Sequence, residues 1–284
     1  MKVILSRKGF DSANGGCPSP ILPNGRMVSL PIPVCSQTCY SGLQLDSKTA
    51  CDLCLDSKTT YYDLMQMLGM KKWSKEDTKC HLDPDIREDV KSRKPGWKAC
   101  FGQCDKAQTH LHNQKVTKGD LFLFFGWFRH TRKCNDGWIF EDKGFHAIFG
   151  YMQIEEKIDI NDKSKEPPDC MKEHPHLEEN FNHSNNFIYV ARDHLSWDQN
   201  LPGAGVFNFN EELVLTKHGL SRSKWCLPDF FKEDKIKISY HNESSYKDGY
   251  FQSAMIGQEF VIQDNEKVEN CAKNLIKKKI VLYM

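Results

Sequence analysis

The residues best equipped for chemistry come early and in a row. Ser6, Arg7 and Lys8 follow an apolar opening at residues 1–5, and Gly9, Phe10, Asp11, Ser12 and the pair Gly15–Gly16 follow them. Two cations, two hydroxyls and a carboxylate at the end of a buried strand suit an anion such as phosphate, because ligands gather where a strand gives way to such a loop. The spacing is not that of a Walker loop. The same residues also make an ordinary charged turn, with Asp11 capping nearby amides.

A second group lies in HLDPD, where His81, Asp83 and Asp85 alternate. Pro84 drives Asp83 towards extended geometry, in which positions i, i+2 and i+4 share a face. One imidazole and two carboxylates would then converge, fit for acid–base work or for a divalent cation such as Mg²⁺. The competing reading makes Asp83 the N-cap of a helix through Val90, with Pro84 in its first turn. His241 closes a candidate strand, where it would serve as acid or base. His174 and His176 flank Pro175 like a ligand pair, but their acidic and polar neighbours favour a solvated surface pair.

Binding groups are more dispersed. Gln103, His110 and Gln114 surround a short candidate helix, and Gln suits pairing with a base edge. Trp127 and Arg129 end an aromatic strand as a stacking platform for a base. Arg222 and Ser223, just before Trp225, offer a phosphate contact. Cys35-x3-Cys39 and Cys51-x2-Cys54 resemble a structural zinc knuckle, with four unlinked thiols as the plainer alternative.

The elements that must position these groups follow from pattern. Helices are expected at 60–68, at 105–114 with Asp105 as its cap, and at 267–279; strands at 121–127, 146–154, 187–192, 206–209, 213–216, 236–240 and 260–262. In the run after Asp120, seven of eight residues are Leu, Phe or Trp, which marks a central strand buried on both faces. Gly126 and Gly150 interrupt that strand and its partner, implying a bulge, a close backbone approach or sharp bending. The expected fold is α+β: one mixed, largely antiparallel, strongly bent sheet with peripheral helices, the bending leaving open either a small barrel or space for a planar ligand. The chain 1–284 reads as a single domain with a cysteine-rich excursion at 35–54 and a polar loop at 159–183.

Composition narrows the class. A net charge of +1 supplies no global field for nucleic acid, so any such contact must use local charge. No apolar run approaches the roughly eighteen residues of a membrane span, and no signal-peptide pattern opens the chain. The expected setting is cytoplasmic, with thiols reduced.

Read in order, SRKGFDS with GG, SPILPNG, SLPIP, HLDPD, GDLFLFFGWFR, FGYMQI, SRSKWCLP, SYH and GQEFV resemble the nucleotide-modification-associated domain family, third type. The resemblance runs over nearly the whole chain, although the paired cysteines lie outside its motifs. It implies a setting, DNA base modification in bacteria or phages, and leaves the reaction open. On that footing the expected activity is group transfer to a nucleobase or nucleotide, the partner being a nucleotide or nucleic acid. Arg7, Lys8 and Arg222 would hold phosphate, Asp11 with Asp83 or Asp85 would handle protons or Mg²⁺, and Trp127 would stack the base. The alternatives are a non-catalytic reader of modified bases on a barrel of the PUA or EVE type, and a nucleotide sensor or effector in phage defence.

Overall fold

The computed structural model describes residues 1–279 apart from Cys35, Ser74, Asp136, Lys165 and Ile256. Its sheet is organised around the aromatic run identified above. The strands, in chain order, are β1 (Val3–Arg7), β2 (Ser19–Ile21), β3 (Cys100–Gln103), β4 (Leu121–Cys134), β5 (Gly137–Phe140), β6 (Phe145–Asp159), β7 (Phe187–Ala191), β8 (Ala204–Val206) and β9 (Glu259–Ile262). They lie in the order β9-β1-β4-β6-β7-β3, with β2 and β5 on further lengths of β4 and β8 on β6. Both β1 and β2 run parallel to β4, and the remaining pairs are antiparallel. The sheet is therefore mixed and largely antiparallel.

Leu121 to Phe125 and Phe128 of β4 are buried, as a central strand requires. The ladder between β4 and β6 shifts register between Phe124 and Phe125, which bends both strands. Gly126 lets another backbone come close: a Cβ there would lie 2.8 Å from the Lys8 carbonyl oxygen. Gly150 does the same for the Gly205 backbone of β8, whose carbonyl oxygen would lie 2.9 Å from its Cβ, and makes room for the Ile86 side chain, whose Cδ1 would lie 2.6 Å away.

The described residues form no closed barrel. Among the described residues no backbone ladder joins the edge strands β9 and β3. They meet through side chains instead: Gln103 Nε2 donates to Glu259 Oε1 at 2.7 Å, and the Lys8 ammonium sits 4.2 Å from the centre of the Phe101 ring. Polar groups fill the seam where closure would need bare backbone.

Three helices match the pattern-based expectation closely. Helix α1 (Tyr61–Met67) starts at a capping box in which Thr60 and Asp63 satisfy each other's amides. Helix α2 (Asp105–Asn113) is capped differently from expectation: Cys104 is the N-cap residue, and Asp105 accepts from His183 and Ser184 instead. Helix α3 (Glu266–Lys279) buries Val268, Ala272 and Ile276, one stripe at four-residue spacing, against the sheet's core.

Two expected strands are absent from the described ladders. Residues 213–216 and 236–240 make isolated bridges, such as Thr216 with Trp225 and Ile238 with Ile262, too few to propagate a ladder. The helix from Asp83 through Val90 is absent as well. Its residues run extended, His81 bridging to Ile32 and Asp85 to Cys100, and only Glu88–Val90 form a short 3-10 turn. A second apolar cluster around Phe10, Tyr40, Tyr61 and Leu64 underlies the 35–54 excursion. No described helix is long and apolar enough to cross a membrane.

Candidate functional site

Strand alternation sends neighbouring residues to opposite sides, and at the end of β1 it divides SRKGFDS between two environments. On the Lys8 side, the Nζ pairs with Glu259 Oε1 at 2.9 Å beside Gln103. Glu259 is 1% exposed, and its Oε2, like Ser6 Oγ, has no hydrogen-bond partner among the described residues.

Next to this pair the HLDPD and HPH segments meet. The Gly102 amide of β3 donates to Asp83 Oδ1 at 2.7 Å, and His174 Nε2 lies 3.4 Å from the same oxygen. His174 Nδ1 accepts the His176 amide at 3.2 Å, which opens the 3-10 turn Pro175–Leu177. His176 Nδ1 lies 2.7 Å from Asn186 Oδ1, while Asn186 Nδ2 donates to the His176 carbonyl at 2.9 Å. With the amide oriented by that second bond, its oxygen can only accept, so His176 carries its proton on Nδ1. Nε2 keeps its lone pair.

The rings of His81 and His176 have centres 5.2 Å apart, and Phe181 covers both at 5.5 and 4.3 Å. His81, Asp83 and His176 each offer a ligand-type atom, all within 4.8 Å of one another. Burial pushes the His81 imidazole down to about 4 and the His176 imidazole down to about 3, so both are neutral bases near pH 7. Burial would raise the Asp83 carboxyl, but the His174 imidazole beside it and the nearby Lys8 charge outweigh burial and hold Asp83 ionised.

The reading of His174 and His176 as a solvated pair is corrected: they are 3% and 4% exposed. Their burial depends on Gly102, where a Cβ would come within 2.3 Å of His176 Cδ2, and on Asn186. Neither residue stood out in the sequence. The available signal was the shared spacing of HLD and HPH, two like segments each presenting alternate side chains.

Asp85 does not join this cluster. Arg93 takes it in a bidentate pair at 2.7 and 2.5 Å. Asp11 behaves as the turn residue, accepting the amides of Ala13 and Asn14 at 2.8 and 2.6 Å. His241 has both nitrogens committed, Nδ1 donating to the Ser239 carbonyl and Nε2 accepting the Ala254 amide.

Arg7 occupies the other side. It donates to the Met255 and Ala254 carbonyls at 3.1 and 2.9 Å and lies over the rings of Phe125 and Phe260. Arg222 donates to Ser12 Oγ at 2.6 Å and stacks 3.8 Å over Trp127, so that face of the indole is already covered. Ser223 meets this region through its carbonyl, which accepts the Ser253 amide. His146 accepts from Trp225 Nε1 at 3.2 Å, and burial with the nearby Arg7 and Arg222 charges pushes it down to about 3.

The remaining groups are scattered. Arg129 lies over Phe140 and 3.7 Å from Asp142. His110 meets Ser239 Oγ at 2.9 Å, and Gln114 lines a surface hollow with Lys2 and His241. Cys39, Cys51 and Cys54 form no metal-holding group among the described residues, and Cys35 lies outside them. The second group of ligand type is Cys104, Asp105 and His183, at the start of α2.

Comparison with known proteins adds one finding. A family model described as nucleotide modification associated domain 3 matches residues 2–263, a span that includes every group of the cluster. No curated protein and no solved structure matches the chain.

Proposed function

Because the chain belongs to the nucleotide modification associated domain 3 family, we propose that it transfers a group to a nucleobase or nucleotide at the His81–Asp83–His176 cluster. The setting that fits is a bacterial or phage modification system. The observation that carries this reading is the convergence of HLDPD and HPH, about ninety residues apart in sequence, on one buried carboxylate. Structural histidines normally spend their nitrogens on neighbours, whereas His81 and His176 keep acceptor capacity beside an ionised Asp83.

The supported step is an acid–base assisted transfer. A base N–H or O–H gives its proton to a neutral imidazole as its heavy atom bonds to the donor's electrophilic centre. The donor is of the class with an anionic leaving group, which departs with the electron pair of the broken bond and takes the proton from the imidazolium. Arg222 with Ser12 is the pair best suited to a phosphate, since Lys8 is committed to Glu259 and Arg7 to backbone carbonyls; it lies on the Arg7 flank, so a phosphate held there is remote from the reacting group. Stacking of a base on Trp127 would first require Arg222 to leave its face. The reader alternative leaned on a small closed barrel, and the open seam removes that support.

Expression in a host with otherwise unmodified DNA, followed by mass spectrometry of digested nucleic acid and of the nucleotide pool, tests the proposal. A new nucleoside or nucleotide mass is expected with the native chain and is expected to vanish with His81→Gln. Identical profiles for the native chain, the variant and an empty vector would refute it.

A further inference from the structure

We infer that His81, Asp83 and His176 form a binding site for one divalent first-row transition ion. This does not rest on the nucleotide reading, because it follows from hydrogen-bond accounting within the cluster. His81 is 8% exposed, and neither ring nitrogen is hydrogen-bonded by a described residue. His176 offers Nε2, its Nδ1 proton being taken by Asn186. Asp83 Oδ1 is held by the Gly102 amide and His174, leaving Oδ2. One ligand-type atom from each residue therefore lies within 4.8 Å of the others, close enough for a single cation to bridge all three.

The surroundings are those of a supported metal site. Asn186 fixes the His176 tautomer, and His174 with Gly102 orients the carboxylate, the role outer partners play around bound metals. The Lys8 charge beside the cluster is neutralised by Glu259 at 2.9 Å, so it does not stand as an uncompensated cation against the ion. Two imidazoles and one carboxylate select zinc, iron, cobalt or manganese over Mg²⁺, which prefers an all-oxygen shell. Three protein ligands leave at least one position for water or substrate, the pattern of catalytic rather than structural sites; with the ion bound, its hydroxide would take the proton-accepting part given above to an imidazole.

The neighbouring Cys104–Asp105–His183 group is a natural control. Its carboxylate is already spent, Oδ2 on His183 at 2.8 Å and Oδ1 on Ser184 at 2.9 Å.

The test is titration of chelator-stripped full chain with Co²⁺, followed by visible absorption and metal analysis. One Co²⁺ per chain is expected, with bands of a four- or five-coordinate centre. His81→Gln and His176→Gln should each weaken binding about 100-fold or more, and Asn186→Ala about 10-fold; Cys104→Ser should leave it unchanged. Circular dichroism separates lost ligands from lost fold. X-ray absorption on the native cobalt protein needs no variant and should show two imidazoles and no sulfur. A sulfur ligand, undiminished binding in folded His81→Gln, or failure to bind Co²⁺, Zn²⁺, Mn²⁺ and Fe²⁺ would each overturn the assignment.

Discussion

Lys8 and Arg7 are adjacent in the chain, yet the two regions they enter handle charge and imidazole in different ways. Lys8 meets a buried carboxylate, and the histidines beyond it retain nitrogens that no described residue uses. Arg7 meets carbonyls and aromatic faces, and of the histidines near it His241 has both nitrogens engaged and His146 has Nδ1 engaged by Trp225. One flank stores unused ligand capacity in its histidines, while the other ties up its histidines internally and leaves Arg7 Nε, Trp127 Nε1 and Ser253 Oγ without a partner among the described residues. Residues that look equally catalytic in a sequence are separated by this accounting of partners.

The comparison breaks most sharply at Gly102. Gly102→Ala would put a methyl group 2.3 Å from His176 Cδ2, on the Lys8 flank alone. Overpacking of this kind costs about 1–3 kcal/mol. We expect that loss in urea titrations, together with loss of the new nucleoside mass, because His176 cannot stay where it is. A variant of native stability and full activity would mean that the ring position does not matter.

The Arg7 flank is probed next, through pH. His146 is held near 3 when folded, whereas an exposed histidine titrates near 6.5. Below about 6.5 the unfolded chain therefore takes up a proton that the folded one refuses, so stability is complete above that pH and falls towards about 3. This group contributes at most about 1.4 kcal/mol per pH unit. His146→Gln, which keeps an acceptor for Trp225, should have a shallower decline than the native chain between about pH 6 and pH 4. Parallel curves would show that His146 is not the buried neutral base described.

The smallest effect is expected at Arg222. Its stacking on Trp127 is worth about 0.5–1 kcal/mol. Arg222→Ala should therefore melt almost like the native chain, with changed tryptophan emission and weaker retention of nucleotides. A destabilisation of several kcal/mol would make this contact a structural clasp and remove it from phosphate binding.

Much of the frame is legible in the residues because its causes are local or periodic. The Leu121–Phe125 run, the Thr60–Asp63 capping box and the stripe Val268–Ala272–Ile276 carry their structure in their own neighbourhoods. The site is less legible because burial and pairing are decided at long range. Nothing near His174 and His176 announces that Gly102 and Asn186 will enclose them. Nothing in HLDPD reveals that Arg93 will claim Asp85 and leave Asp83 to the histidines. Alternation gives the face a side chain leaves from, and the partner it finds depends on the whole fold.

The side-chain seam between the sheet's edges also bears on the order of events during synthesis. Lys8 leaves the ribosome 251 residues ahead of the carboxylate that neutralises it. Until the strand bearing Glu259 docks, the ammonium must keep its hydration, so the cleft beside it cannot dry out and harden. A nascent chain of this protein therefore cannot finish the candidate pocket before the last strand of its sheet is in place.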